Sequence, residues 1–186
     1  MQILPEASQP AATPPRLESA RLILSGHERE DFEPLAAMWA APDVVRYIGG
    51  KPSTPSESWR RMLSYRGLWA LLGFGYWRVR EKVSGRYVGD LGFADFHRMM
   101  APSISGVPEA GWALAPWAHG KGYATEALST ALAWLDGQGY GHSVCLIAPE
   151  NLPSIRLAEK VGYGAPQRVQ MNGEDTLLFR RAANTL

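Results

Sequence analysis

The stretch EAGWALAPWAHGKGYATEAL, residues 109–128, joins an apolar, strand-like run to a helix-like run through a bend holding glycines at 120 and 122. Paired glycines let the main chain approach a ligand closely, and the free N–H groups that open a helix carry the positive end of its dipole. Such a corner suits a phosphate or a pyrophosphate. Lys121 adds a positive charge, and Tyr123 and Thr125 offer hydroxyls nearby. A tight turn that uses glycine only for its torsion angles would look the same, so the surrounding chain has to decide.

On the C-terminal side, Leu128, Leu132 and Leu135 recur with Ala124, Ala127 and Ala131 on one helical face. HSVCLIAP, residues 142–149, is a continuous apolar run that reads as a strand buried on both faces. NLPSIRLAEKVGY follows, with Asn151 as cap, Pro153 in the first turn and Gly162 as the stop. In RVQMNGEDTLLF, residues 168–179, Asn172-Gly173 sits between two strand-like arms, a strong hairpin signal. On the N-terminal side, RLILS (21–25) reads as a strand, and Phe32, Leu35, Ala36 and Trp39 share a helical spacing. Thr54, Pro55 and Glu57 form a capping-box pattern opening a second helix, which is expected to present Trp59, Met62 and Leu63 on one side. FGYWRVRE and RYVGDLGFADF flank Ser84-Gly85 and predict an antiparallel hairpin. This order predicts an α/β (α+β) fold, a mixed and mostly antiparallel sheet with helices on both faces.

The 186 residues, 46% hydrophobic, predict one domain over residues 17–186 after a flexible Pro- and Ala-rich leader, residues 1–16. With 19 basic and 18 acidic residues there is no electrostatic case for nucleic acid or an anionic membrane as partner. No apolar run nears the ~20 residues that a membrane helix needs. Cys145 is the single cysteine, which fits a reducing cytoplasm and leaves no Cys-based zinc site. The four histidines lack paired metal spacing, so no metal is expected.

Known phosphate loops can be tested against the bend. A Walker A loop fails, because Lys121 precedes Gly122 and the upstream glycine is missing. A Rossmann fingerprint would need glycine at Thr125, and only 36 residues follow Glu150, too few for its remaining units. Dinucleotide binding stays as a minor alternative. No G-x-S-x-G elbow supports a serine hydrolase.

Taken with RLILS, EDFEPLAAMWAAPDVVRYIGG, YVGDLGF and APENLPSIRLAEKVGY, the opening stretch resembles the GCN5-related N-acetyltransferases, most closely their ribosomal-protein N-terminal branch. The likeness covers nearly everything after Arg16. It implies the GNAT fold, acetyl-CoA as acetyl donor, and a pyrophosphate held by the amides of Gly120, Lys121, Gly122, Tyr123, Ala124 and Thr125, with His119 beside it. It also implies that Trp112, Ala113 and Leu114 pair with the pantetheine arm where the strand at residues 145–147 splays away, and that Asn151 touches the cofactor. Two positions depart from the family pattern: Trp117 stands where Gln or Arg is usual, and Ala158 where many relatives carry a thiolate-protonating tyrosine.

Acetylating an amine requires a neutral nitrogen, oxyanion donors and a proton for the leaving thiolate. Glu109 is the candidate base, on one strand face with the small residues Gly111, Ala113 and Ala115. A solvated strand-end carboxylate is the plainer reading of it. Ser154 or a water is left as acid, although a first-turn serine also serves simply to satisfy backbone N–H groups. Cys145 reads as a buried strand residue, and Asp90 as a strand-edge or turn carboxylate. The resemblance implies an amine acceptor, small molecule or peptide N-terminus, over segments that here carry Tyr47, Trp59, Tyr65, Trp69 and Met171, although ordinary core is the better reading for most of these. A non-catalytic acyl-CoA-binding module is the other alternative. Apolar residues in the last hairpin would suit a homodimer.

Overall fold

The computed structural model describes residues 13–182. Eight strands form one sheet among these residues: β1 (Leu17–Glu18), β2 (Leu22–Ser25), β3 (Tyr76–Glu81), β4 (Tyr87–Ala94), β5 (Glu109–Leu114), β6 (His142–Ile147), β7 (Gln167–Met171) and β8 (Glu174–Ala182). Their order is β1-β2-β3-β4-β5-β6-β8-β7. Every neighbouring pair is antiparallel except β5 and β6, which run parallel and meet at the single pair Glu109 and Val144. The helices are α1 (Phe32–Trp39), α2 (Pro42–Val45), α3 (Pro55–Leu72), α4 (Tyr123–Gly137) and α5 (Leu152–Lys160). The expected mixed, mostly antiparallel fold is what forms.

Local chemistry explains the element ends. Thr54 Oγ1 accepts from Glu57 N at 3.3 Å while the Glu57 carboxylate accepts from Thr54 N at 2.7 Å, and Gly73 closes α3 at φ 74°. Asn172 (φ 54°) and Gly173 (φ 83°) both adopt the left-handed turn of the last hairpin.

Alternation along the strands sorts two larger cores and a smaller one of Ile104, Val144, Val169 and Leu178. One of the larger two, with Trp77, Leu91 and Phe93, packs against Leu128, Leu132 and Leu135 of α4 and Leu157 of α5. The other, with Tyr76, Tyr87 and Ala113, packs against Leu35 and Trp39 of α1 and Met62 and Tyr65 of α3. Truncating fully buried Leu128 to Ala should cost ~2–5 kcal/mol in a denaturant melt.

Several expectations change. Residues 1–12 of the expected leader lie outside the described residues, as do 183–186 of the expected domain, but Pro14 is buried and Trp77 Nε1 donates to Pro15 O at 2.8 Å. Ordered packing therefore starts before Leu17. The buried stripe of α3 is Ser58, Met62, Tyr65 and Trp69, while Trp59 and Leu63 are exposed; Trp59 meets Phe32 edge-on. Asp90 is no turn residue. It is fully buried in mid-β4, accepting from Trp39 Nε1 (3.0 Å), bonded to His27 Nε2 (2.7 Å) and accepting from the Tyr87 hydroxyl. The last hairpin buries Val169, Leu177, Leu178 and Phe179, which removes the ground on which a homodimer was expected.

Candidate functional site

A 3-10 turn, Pro116–Ala118, ends β5 and leads into the glycine bend. Gly120 (φ 72°) and Gly122 (φ 79°) both lie in the left-handed region, and Gly122 opens α4 without any side-chain cap. The first carbonyl used by the helix is Gly122 O, which accepts from Glu126 N. Among the described residues no protein group accepts the N–H of any residue from Gly120 to Thr125. A Cβ built at Gly120 would meet nothing within 4 Å, and Gly120, Gly122, Tyr123, Ala124 and Thr125 border open space. With the dipole of a 15-residue helix behind it, this row of N–H groups fits a diphosphate.

That space is a cavity of about 540 Å³ running from the bend along β5 to α5. Trp112, Ala113, Leu114, His119, Gly120, Gly122, Tyr123, Ala124, Thr125 and Asn151 all line it. Of the expected cofactor residues, Lys121 alone is not brought into the wall: its Nζ lies 4.6 Å from the centre of the Trp117 ring, whose other cationic neighbour is Arg86 at 3.9 Å. Trp117, in place of the usual Gln or Arg, is thus a platform for cations. The Tyr123 hydroxyl is also withdrawn, donating to Glu81, which together with burial raises its pKa. Arg156 and Lys160 of α5 line the cavity too. Their four-residue spacing in the sequence was the signal that could have found them.

The opening between β5 and β6 forms because pairing stops after Glu109 and Val144. Val144 N donates to Pro108 O, so strand alternation turns the main-chain groups of Trp112 and Leu114 toward the opening. His119 Nε2 lies 2.9 Å from Leu114 O and, facing a carbonyl, acts as the donor. The expected splay at residues 145–147 is present.

A second cavity of about 350 Å³ lies beyond, and the two share Tyr47, Ile48, Trp112, Ala113, Asn151 and Ser154 as walls. Asn151 Oδ1 caps α5 by accepting from Ser154 N at 3.2 Å. Ser154 Oγ accepts from Trp112 Nε1 at 3.1 Å, and none of the described residues takes its own proton. Glu109 lines the second cavity but is 6% exposed rather than solvated, and both its oxygens are gripped by Arg98, at 2.6 Å (Nε) and 2.7 Å (Nη2). That bond to Glu109 raises the Arg98 pKa. The room expected over Gly111 is filled: a Cβ there would overlap the Tyr76 hydroxyl, and Tyr76 stacks on Tyr65 with ring centres 4.4 Å apart. Burial pushes both phenols up, so they stay protonated at neutral pH.

Tyr47, Tyr65 and Met171 line this cavity as expected, whereas Trp69 is core and Trp59 lies elsewhere. Trp39, Arg61, Tyr76, Phe96 and Arg98 were not foreseen as its walls. Ala158 is fully buried in the main core, so no phenol reaches the thiolate end from there. Cys145 is buried, with its thiol pushed well up by burial, the setting of an inert structural cysteine. No group of three or more His, Cys, Asp or Glu among the described residues is placed to hold a metal. No helix among them is long and apolar enough to cross a membrane. A dinucleotide site would require a doubly wound parallel sheet, and the one parallel contact here is β5 with β6.

Comparison with known proteins agrees with this geometry. Residues 21–164 match the model of the acetyltransferase (GNAT) domain. An uncharacterized N-acetyltransferase, p20, of Bacillus licheniformis is 27% identical over 149 residues, 79% of this chain and 81% of that one. A structure described as a putative GNAT-family acetyltransferase from Bordetella pertussis is 32% identical, with a TM-score of 0.78 over 90% of this chain and 99% of its own. A putative ribosomal-protein-serine acetyltransferase from Vibrio cholerae shares the fold at 19% identity, with a TM-score of 0.70 over 91% of this chain and 99% of its own. With a glycine bend of unclaimed amides, a sheet parted at β5 and β6, and a family match over most of its length, the chain belongs to the GNAT N-acetyltransferases.

Proposed function

We propose that the protein transfers an acetyl group from acetyl-CoA directly to a primary amine, and that the two adjoining cavities hold donor and acceptor. The observation that carries this is the row of unclaimed N–H groups from Gly120 to Thr125 at one end of a cavity whose other end reaches the parted strands. When bound, acetyl-CoA supplies the activated thioester.

The amides of Gly120 to Thr125 bind the diphosphate, and Arg156 and Lys160 add positive charge along the same wall. The main-chain groups of Trp112 and Leu114 orient the pantetheine arm. Glu109 takes the ammonium proton, directly or through water; the Arg98 fork uses one lone pair on each of its oxygens and leaves the others. Ser154 Oγ, held by Trp112 and still carrying its proton, is the side chain that protonates the thiolate. Confining both partners supplies much of the rate, since oriented pairs gain ~7–11 kcal/mol.

Two measurements on the full chain test this: calorimetry with acetyl-CoA, and thiol release with a broad amine panel. Binding with amine-dependent release is expected. Binding without release across the panel would leave a sensing module instead.

A further inference from the structure

We infer that the acceptor is an amine carrying its own carboxylate, a small apolar amino acid, recognised through Arg61. This rests on the acetyltransferase reading and adds the acceptor class to it.

The charged side chains in the wall of the second cavity are Arg61, Arg98 and Glu109. Arg98 and Glu109 neutralise one another in a two-point fork. Arg61 is left over. Among the described residues no carboxylate lies within ion-pair distance of it, its buried Nε has no hydrogen-bond partner, and the Tyr65 phenol with which the guanidinium interacts is protonated and brings no charge. Its guanidinium lies 3.7 Å from the centre of the Trp39 ring. Packing on Trp39 explains where the group sits but does not neutralise it, because a ring face offers a quadrupole and not a counter-charge. The cavity therefore presents one net positive charge, on a planar fork suited to a carboxylate.

That balance selects among amines. A polyamine or aminoglycoside would bring further cations into a cavity that lacks a free carboxylate to meet them. An amino acid brings its own anion for Arg61, while its amine is free to reach the opening by Trp112 and Ser154. The remaining walls include Trp39, Tyr65, Tyr76, Phe96 and Met171, and a space of about 350 Å³ accommodates one apolar side chain rather than a folded peptide.

The test uses wild-type protein and matched acceptors with and without the carboxylate: phenylalanine against phenethylamine, methionine against 3-(methylthio)propylamine, and lysine against cadaverine. Thiol release gives kcat/KM for each, and calorimetry with acetyl-CoA is run in parallel. The carboxylated member of each apolar pair is expected to lead by at least about tenfold, and Arg61→Met to shrink that ratio to within about threefold; Arg61→Lys, which keeps charge without the fork, should fall between. Equal or better turnover of the decarboxylated members, or no turnover of any carboxylated one, overturns this inference while acetyl-CoA binding leaves the donor site standing. Absence of acetyl-CoA binding overturns the acetyltransferase reading itself, and this inference with it.

Discussion

Trp112 Nε1 donates to Ser154 Oγ at 3.1 Å, tying β5 to the first turn of α5 across the place where β5 and β6 part. The bond fixes the hydroxyl at the wall common to both cavities. Ser154→Ala should lower kcat by about 10²-fold, the lower end for a general acid, with Kd for acetyl-CoA unchanged. A loss under about threefold would assign the serine to holding the indole alone, a role worth ~1 kcal/mol in a melt.

Gly120 has room for a side chain but an unfavourable backbone for one. Gly120→Ala should cost ~1–2 kcal/mol from its positive φ. Gly120→Asp adds a carboxylate beside the diphosphate and should weaken acetyl-CoA binding by at least about tenfold more than Ala does. Calorimetry on both variants separates strain from charge; equal affinities would place the diphosphate elsewhere.

Glu109 lines the second cavity, within the Arg98 fork. Glu109→Gln should reduce kcat by about 10²-fold with Kd for acetyl-CoA unchanged. If the rate survives, the carboxylate only anchors Arg98.

Glu126, one turn into α4, binds Ser19 Oγ (2.6 Å), Arg21 N (2.7 Å) and Arg21 Nε (2.7 Å), while Arg21 Nη1 also holds Lys121 O at 3.0 Å. Burial opposes its charge, but these bonds outweigh that and set its pKa below the ordinary 4.5. A depressed folded pKa means stability that is present above the unfolded value and lost as pH falls through the folded one. Acid titration of Glu126→Gln should therefore show a shallower loss of stability below about pH 4.5 than wild type. Identical slopes would show that the contacts contribute nothing.

Native Cys145 should resist a disulfide-exchange thiol reagent until the protein unfolds, because it is buried and its thiol is held protonated. Rapid native labelling would contradict its placement, and would also disturb any thiol-release assay.

Much of this was legible because the decisive signals are local. The bend, the Thr54 capping box, the Asn172-Gly173 turn and the α4 leucines each sit within a few residues of sequence. What escaped depends on distant partners or lacks a period. Four-residue α2 is too short to show one. Asp90 looks like an edge carboxylate until His27 and Trp39, 63 and 51 positions away, converge on it. Arg61 and Arg98 come from a helix and a loop that meet only once the sheet is folded. Over Gly111, a small residue promised space, yet Tyr76 from another strand occupies it.

The parted strands divide the molecule's chemistry by kind of atom. On the side of the glycine bend, the groups offered to a ligand are chiefly main-chain amides and carbonyls, which depend on the backbone path and on there being no proline more than on side-chain identity. Across the opening, everything that can tell one amine from another is a side chain. An engineer could therefore rewrite Arg61 and Phe96 to retarget the enzyme, leaving the Arg98–Glu109 pair and the glycine bend as they are.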